Sequence, residues 1–174
     1  MSAVMLSVSV YLGTIVQPEL NAVTNEYKKV LFATPYRQYM EEKIGPVAFK
    51  SMELEMKSFD DSLIPLMQEE NTLASRYSKL IASAKIMWEG EELNLSLMRK
   101  YMRSQDRNTR KKAWDAFSGF FEENQAELDE IYDLMVKNRT RQAQMLGFEN
   151  YIDMGYFRMN RNSYTKEDVQ KLRE

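Results

Sequence analysis

Over most of this chain the apolar side chains recur every three or four residues, and in two short stretches they alternate instead. The first alternation is Val4 to Leu12, where Val8, Val10 and Leu12 fall on one side and Ser7, Ser9 and Tyr11 on the other; it predicts a short strand or an arm against a neighbour. From Pro18 onward Leu20, Val23, Tyr27, Val30 and Leu31 share a helical face, which predicts an amphipathic helix buried along that face, with Pro18 in its first turn. Thr34-Pro35 repeats the start signal and Gly45-Pro46 supplies a stop. A third helical run carries Phe49, Met52, Met56 and Phe59 and is punctuated by Asp60-Asp61-Ser62. The next helix buries Met67, Leu73, Tyr77, Leu80, Ile81 and Ala84, with Pro65 tolerable only near its start.

The second alternation, Ile86 and Trp88 against Lys85 and Met87, followed by Leu93 and Leu95 against Glu92 and Asn94, flanks Glu89-Gly90 and predicts a β-hairpin. Two strands are marginal alone, so the hairpin should lie against helices. Ser96 is a candidate cap for a short helix from Leu97 to Arg103. Ala113, Phe117, Phe120, Phe121, Leu128, Ile131, Met135 and Leu146 then predict one very long helix from Asp106 or Thr109 to Met145, about 55 Å at 1.5 Å per residue. Propensity does not hold such a helix; its apolar stripe demands partners. Gly119 inside it is explained by close packing at a cost of about 1 kcal/mol relative to alanine. Leu146-Gly147-Phe148 predicts a left-handed C-terminal cap, with Gly147 at positive φ and Phe148 folded back on the last turn. Thr165 and Asp168 predict a capping box opening a further helix of nine residues, whose Val169 and Leu172 have little to bury, as at a domain junction. The fold class is all-α, mainly helical, with one small β-hairpin near residues 85–95.

Composition narrows the classes of function. With 174 residues, 44% hydrophobic and 29% charged, the chain has the apolar material for a core and not the composition of a disordered one. A formal charge of -2 gives no global attraction to nucleic acid or to an anionic membrane. Without cysteine there is no disulfide framework, which favours a cytoplasmic protein. The N-terminal apolar run has no basic flank, and Gln17, Glu19 and Asn21 follow it, so it reads as neither a signal peptide nor a membrane span. Thirteen methionines, Met52, Met56, Met135, Met145 and Met159 among them, read as core filler.

Charge is banded: Arg99, Lys100, Arg103, Arg107, Arg110, Lys111 and Lys112, then an acidic band from Asp115 to Asp133, then Lys137, Arg139 and Arg141. The basic band shows no stacking aromatics among its members and the acidic one lacks metal-loop spacing, so both read as solvated faces, with i,i+4 pairs such as Asp106–Arg110 and Asp133–Lys137. The chain contains no histidine, which removes His-based triads and the two-histidine zinc motif together. No phosphate-binding glycine loop is present either.

Leu80 to Trp114, Phe120 to Tyr151 and Asp153 to Arg173 resemble oligoendopeptidase F-like members of the thimet oligopeptidase family of zinc metallopeptidases. The most specific part is the R-x-x-x-A-x-x-L-G-F-x-N-Y block, Arg139 to Tyr151, followed by G-Y-F-R-M-x-R at Gly155 to Arg161. The resemblance implies a helical enzyme with a deep channel that hydrolyses short peptides with a zinc-bound water. The zinc ligands of that family, two histidines of an HExxH helix and a glutamate, match no position here, so the chain by itself is expected to lack a metal and peptidase activity.

On this reading residues 1–15 are an N-terminal arm, 16–146 the helical N-terminal region of the peptidase, and 147–174 a junction leading toward a zinc catalytic domain. Tyr156, Arg158 and Arg161 are the candidates for the substrate channel, since arginine pairs a peptide carboxylate and tyrosine bonds peptide backbone. The bland alternative has Tyr156 packing and the arginines pairing with helix carboxylates. Expected partners are short peptides and the catalytic domain, with self-association of the chain to cover its long helix, and neither nucleic acid nor membrane. A free-standing helical interaction module is the alternative function.

Overall fold

The computed structural model describes residues 7–8 and 11–174, and these form two compact units. The first comprises the described residues through Asn71 together with Lys137–Glu174, and the second Thr72–Val136. Nine α-helices and one two-stranded antiparallel sheet make up the regular structure among the described residues, so the fold is all-α.

In the first unit a π-helical segment, Leu12–Val16, runs into α1, Gln17–Ala33. Ser7, Val8 and Tyr11 are helical as well, so the strand expected over residues 4–12 does not form where the chain is described; its other positions lie outside the described residues. Of the face expected to be buried on α1, only Leu31 is. Leu20, Val23, Tyr27 and Val30 are 53%, 69%, 63% and 70% exposed, while Asn25 and Leu31 are buried and the Lys28 side chain is nearly so. Local periodicity identifies an amphipathic helix but not which stripe the rest of the unit covers. Here the covered stripe carries Asn25 and Lys28 beside Leu31 and Phe32.

Thr34-Pro35 forms a turn instead of the first helical turn: Arg37 N–H donates to the Thr34 carbonyl, and α2 runs Arg37–Ile44. Gly45 at φ 109° ends α2, and Pro46 opens α3, Pro46–Lys57, whose Phe49 is buried against Phe32. The Asp60 carboxylate accepts from Ser62 N–H at 2.9 Å and caps the 3-10 turn that leads into α4, Ile64–Ala82, with Pro65 in its first turn.

The second unit holds the hairpin. Strands β1, Ile86–Trp88, and β2, Glu91–Leu93, pair Ile86 with Leu93 and Trp88 with Glu91 across a two-residue turn in which Glu89 and Gly90 both have positive φ. Ile86, Trp88 and Leu93 face a core completed by Met98 and Ala113. Asn94, not Ser96, caps α5, Leu95–Met102: its side-chain oxygen accepts from Leu97 N–H at 2.9 Å. Tyr77, expected inside, is 48% exposed.

The single long helix is interrupted. Helix α6, Arg107–Glu123, and α7, Gln125–Met145, are separated by Asn124, whose side-chain amide donates to the Phe120 carbonyl at 2.7 Å. A side chain that bonds the preceding turn competes with the helical ladder, and the helix breaks there. Gly119 is not closely packed: nothing lies within 4 Å of where a β-carbon would stand. Asp106 caps α6 through Thr109 N–H, and Arg110 donates to the Ser104 carbonyl, so the Asp106–Arg110 pair is replaced by two backbone contacts.

Helix α7 ends as expected. Gly147 has φ 83°, its N–H reaches the Gln144 carbonyl, and Phe148 N–H reaches the Ala143 carbonyl, which is the Schellman pattern with Phe148 packed in the core around Leu63, Ala143 and Met154. Helix α8, Tyr151–Arg158, follows, and then α9, Lys166–Arg173, opened by the Thr165–Asp168 capping box. Met145 and Met159 are 47% and 54% exposed, so these two methionines are not core filler. No helix among the described residues is long and apolar enough to cross a membrane.

Candidate functional site

The site is built in the first unit around the end of α8. On α4, Glu70 occupies a buried position between Met67 and Leu73, and on α7 Asn138 and Gln142 continue the stripe of Ile131 and Met135. Polar groups so placed must satisfy one another. The Glu70 carboxylate accepts from Arg139 Nε at 2.8 Å, Gln142 Nε2 at 2.8 Å and Arg158 Nη1 at 3.0 Å. Gln142 Nε2 also donates to Asn138 Oδ1, and Asn138 Nδ2 to the Leu66 carbonyl. The Tyr151 hydroxyl lies 3.1 Å from Arg158 Nη1 and accepts from it. Burial alone would push the Glu70 carboxyl up, but the Arg158 guanidinium and the bonds from Gln142, Arg139 and Arg158 outweigh it and hold the group below the usual carboxylate range.

Arg158 thus has a fixed base, and its far side borders a cleft of about 310 Å³. Asn21, Asn25 and Lys28 of α1 line one wall, Glu55 and Ser58 at the end of α3 another, and Met67 and Asn160 close it. Lys28 is ion-paired with Glu55. Two cations, each held by a carboxylate, together with several amides can bind the ends and backbone of a small polar ligand.

Arg161 and Tyr156 are brought together by a helix end that the sequence pattern did not flag. Asn160 has φ 53°, Asn160 N–H bonds the Phe157 carbonyl and Arg161 N–H the Tyr156 carbonyl, a second Schellman turn with asparagine in the left-handed position. The turn folds Arg161 back, placing its guanidinium 4.5 Å from the Tyr156 ring centre and 5.5 Å from that of Tyr164. The turn is fastened to α3: Lys50 donates to the Asn162 carbonyl, and Asn162 Nδ2 to Ser51 Oγ at 3.1 Å. Of the three residues singled out from sequence, Arg158 pairs with a helix carboxylate and also lines the cleft, while Tyr156 and Arg161 stack on one another. Glu70, Gln142, Lys28 and Glu55 were missed. The signal for Glu70 and Gln142 was a polar side chain at a position of an otherwise apolar stripe.

The zinc implied by the family resemblance finds no ligand set here. The sequence has neither histidine nor cysteine, and no group of three or more acidic residues able to hold a metal lies together among the described residues.

The helical fold and the sequence together place the chain among the M3 peptidases. The sequence pattern of the Peptidase M3 N-terminal domain matches residues 11–59, and that of Peptidase family M3 matches residues 100–172. A protein of Bacillus anthracis str. Ames provisionally assigned as an oligoendopeptidase F superposes with a TM-score of 0.93 at 36% identity, over 98% of this chain and 31% of its own. PZ peptidase A, solved with an inhibitor, superposes with a TM-score of 0.91 at 40% identity, over 95% of this chain and 29% of its own. A further structure provisionally assigned as an oligoendopeptidase F gives 0.90 at 36% identity, over 95% of this chain and 29% of its own. No curated protein matches the chain. The chain belongs to the M3 peptidase family as an oligoendopeptidase F-like member, and it spans less than a third of the length of the solved structures it matches.

Proposed function

We propose that this chain is the non-catalytic N-terminal helical portion of a zinc-dependent oligoendopeptidase, a wall of the channel that admits short peptides and excludes folded proteins. The observation that carries the reading is the cleft bordered by Arg158, whose guanidinium is anchored by Glu70 on one side and open to the cleft on the other. Arg158 supplies the charge for a peptide carboxylate, and Tyr156 and Arg161 add a stacked polar surface on the same helix end. The zinc and its ligands belong to the catalytic domain of the complete enzyme, which works in the cytoplasm on short peptides. The exposed apolar stripe of Leu20, Val23, Tyr27 and Val30 is the face which that domain covers, and in its absence the face on which copies of this chain self-associate.

The test is steady-state kinetics of the complete enzyme carrying Arg158→Lys or Arg161→Ala. Lysine keeps the charge and removes the fork, so KM for short peptides should rise about threefold to tenfold with kcat little changed. Unchanged KM in both variants would overturn the channel assignment.

A further inference from the structure

The basic band, expected to show no stacking aromatics, has Tyr101 within it, with Lys100 Nζ 5.3 Å from its ring centre, and Trp114 at its edge. Trp114 lies on the same face of α6 as Arg107, Arg110 and Lys111, seven, four and three residues before it, and it is 51% exposed. It borders two grooves in the second unit. One, of about 460 Å³, is lined by Arg107, Arg110, Lys111 and Trp114; the other, of about 210 Å³, by Arg99, Met102, Arg103 and Trp114. The indole is supported from one side by Phe117, with ring centres 6.0 Å apart.

The charges around it are not spent inside the fold. Arg110 and Lys111 are engaged, the first by the Ser104 carbonyl and the second by Asp115. Arg99, Arg103 and Arg107 have no carboxylate, carbonyl or ring partner among the described residues. Asp106, the other nearby carboxylate, is occupied as the cap of α6. Three unpaired guanidinium forks around a half-exposed indole thus stand on a chain whose formal charge is -2.

We propose that the paired grooves beside Trp114 dock a short, extended acidic segment of a partner protein, with carboxylates on Arg99, Arg103 and Arg107 and an apolar side chain on the indole. Size and surroundings select this occupant. From Arg107 to Trp114 is seven residues of helix, about 10 Å, which matches roughly three residues of extended chain. A nucleic-acid strand would run beyond the grooves, and along α6 and α7 it would meet Glu122, Glu123, Glu127, Asp129 and Glu130. Guanidinium forks fit carboxylates bidentately, and an indole supplies apolar contact at low entropic cost. This inference does not depend on the peptide-channel reading, which concerns the other unit.

The experiment is anisotropy of a fluorescein-labelled, C-terminally amidated Glu-Leu-Glu-Glu-Leu peptide titrated with the 174-residue chain. Saturable binding is expected, weakened about tenfold by the Arg99→Glu/Arg103→Glu double variant and by Trp114→Ala, and weakened further by raised salt. All the substituted positions are exposed, and circular dichroism shows whether each variant folds. Four outcomes overturn the proposal. They are no saturable binding, binding unchanged in both variants, an oligo-dT strand bound more tightly than the peptide, and self-association of the chain that the double variant abolishes.

Discussion

Arg158 Nη1 donates to the Glu70 carboxylate at 3.0 Å, joining residues separated by 88 positions in sequence. The bond ties the end of α8 to α4, and through Arg139 and Gln142 the same carboxylate holds α7. One buried acid therefore sets where the candidate site stands. Removing a single partner leaves the others with an uncompensated charge, which costs about 3 kcal/mol at a buried pair. Glu70→Ala and Arg158→Ala should each destabilise the chain by about 2 to 3 kcal/mol in urea denaturation, and the double variant by clearly less than the sum. Additivity would show that the two side chains act independently.

The same carboxylate gives a pH dependence of known sign. Its folded-state pKa lies below the unfolded value of 4.5, so its contribution is complete above that value and is lost as pH falls through the folded one. The stability gap between the parent chain and Glu70→Gln should be constant near neutrality and narrow in acid below about pH 4.5. Asp60, Asp106 and Asp168 also titrate low but are unchanged in the variant, so the difference isolates Glu70. A gap that widens in acid would reverse the assigned sign.

Two glycines in similarly open space should respond oppositely to alanine. Gly119 lies inside α6 with nothing near its missing β-carbon, so Gly119→Ala should stabilise by about 1 kcal/mol. Gly147 is equally open but sits at φ 83°, where an L side chain is strained, so Gly147→Ala should destabilise by about 1 kcal/mol. Thermal unfolding of the two variants compares space against backbone conformation directly.

The cap of α5 separates two neighbouring polar residues. Asn94→Ala removes the acceptor of Leu97 N–H and should cost about 1 kcal/mol, while Ser96→Ala, already inside the helix, should be near neutral. Equal losses would return the cap to Ser96.

The elements whose signals are local were legible in the chain. The hairpin turn at Glu89-Gly90, the glycine cap at Gly147 and the Thr165–Asp168 box each depend on a few adjacent residues whose backbone demands are specific. Asn124 and Asn160 were overlooked because asparagine is ambiguous. The same amide breaks a helix by bonding backward in one place and takes the left-handed position of glycine in the other.

The candidate site was only half visible. Tyr156, Arg158 and Arg161 stood out as polar and aromatic groups near the family's most specific block. Glu70 and Gln142 were not singled out, because only the fold turns their stripe inward. A polar group on an apolar stripe is costly alone and harmless when met by its complement, and the complement lies on another helix.

Helix content, the all-α class, the Gly147 cap, the Thr165–Asp168 box and the family likeness were therefore carried by the order of residues, because they arise within one or two turns of chain or from motif spacing. Which stripe of α1 is buried, how Glu70 finds Arg158, and that Trp114 stands exposed among arginines were settled only by packing. These depend on contacts between helices distant in sequence, where burial of one polar network outweighs the preference of any single amphipathic face.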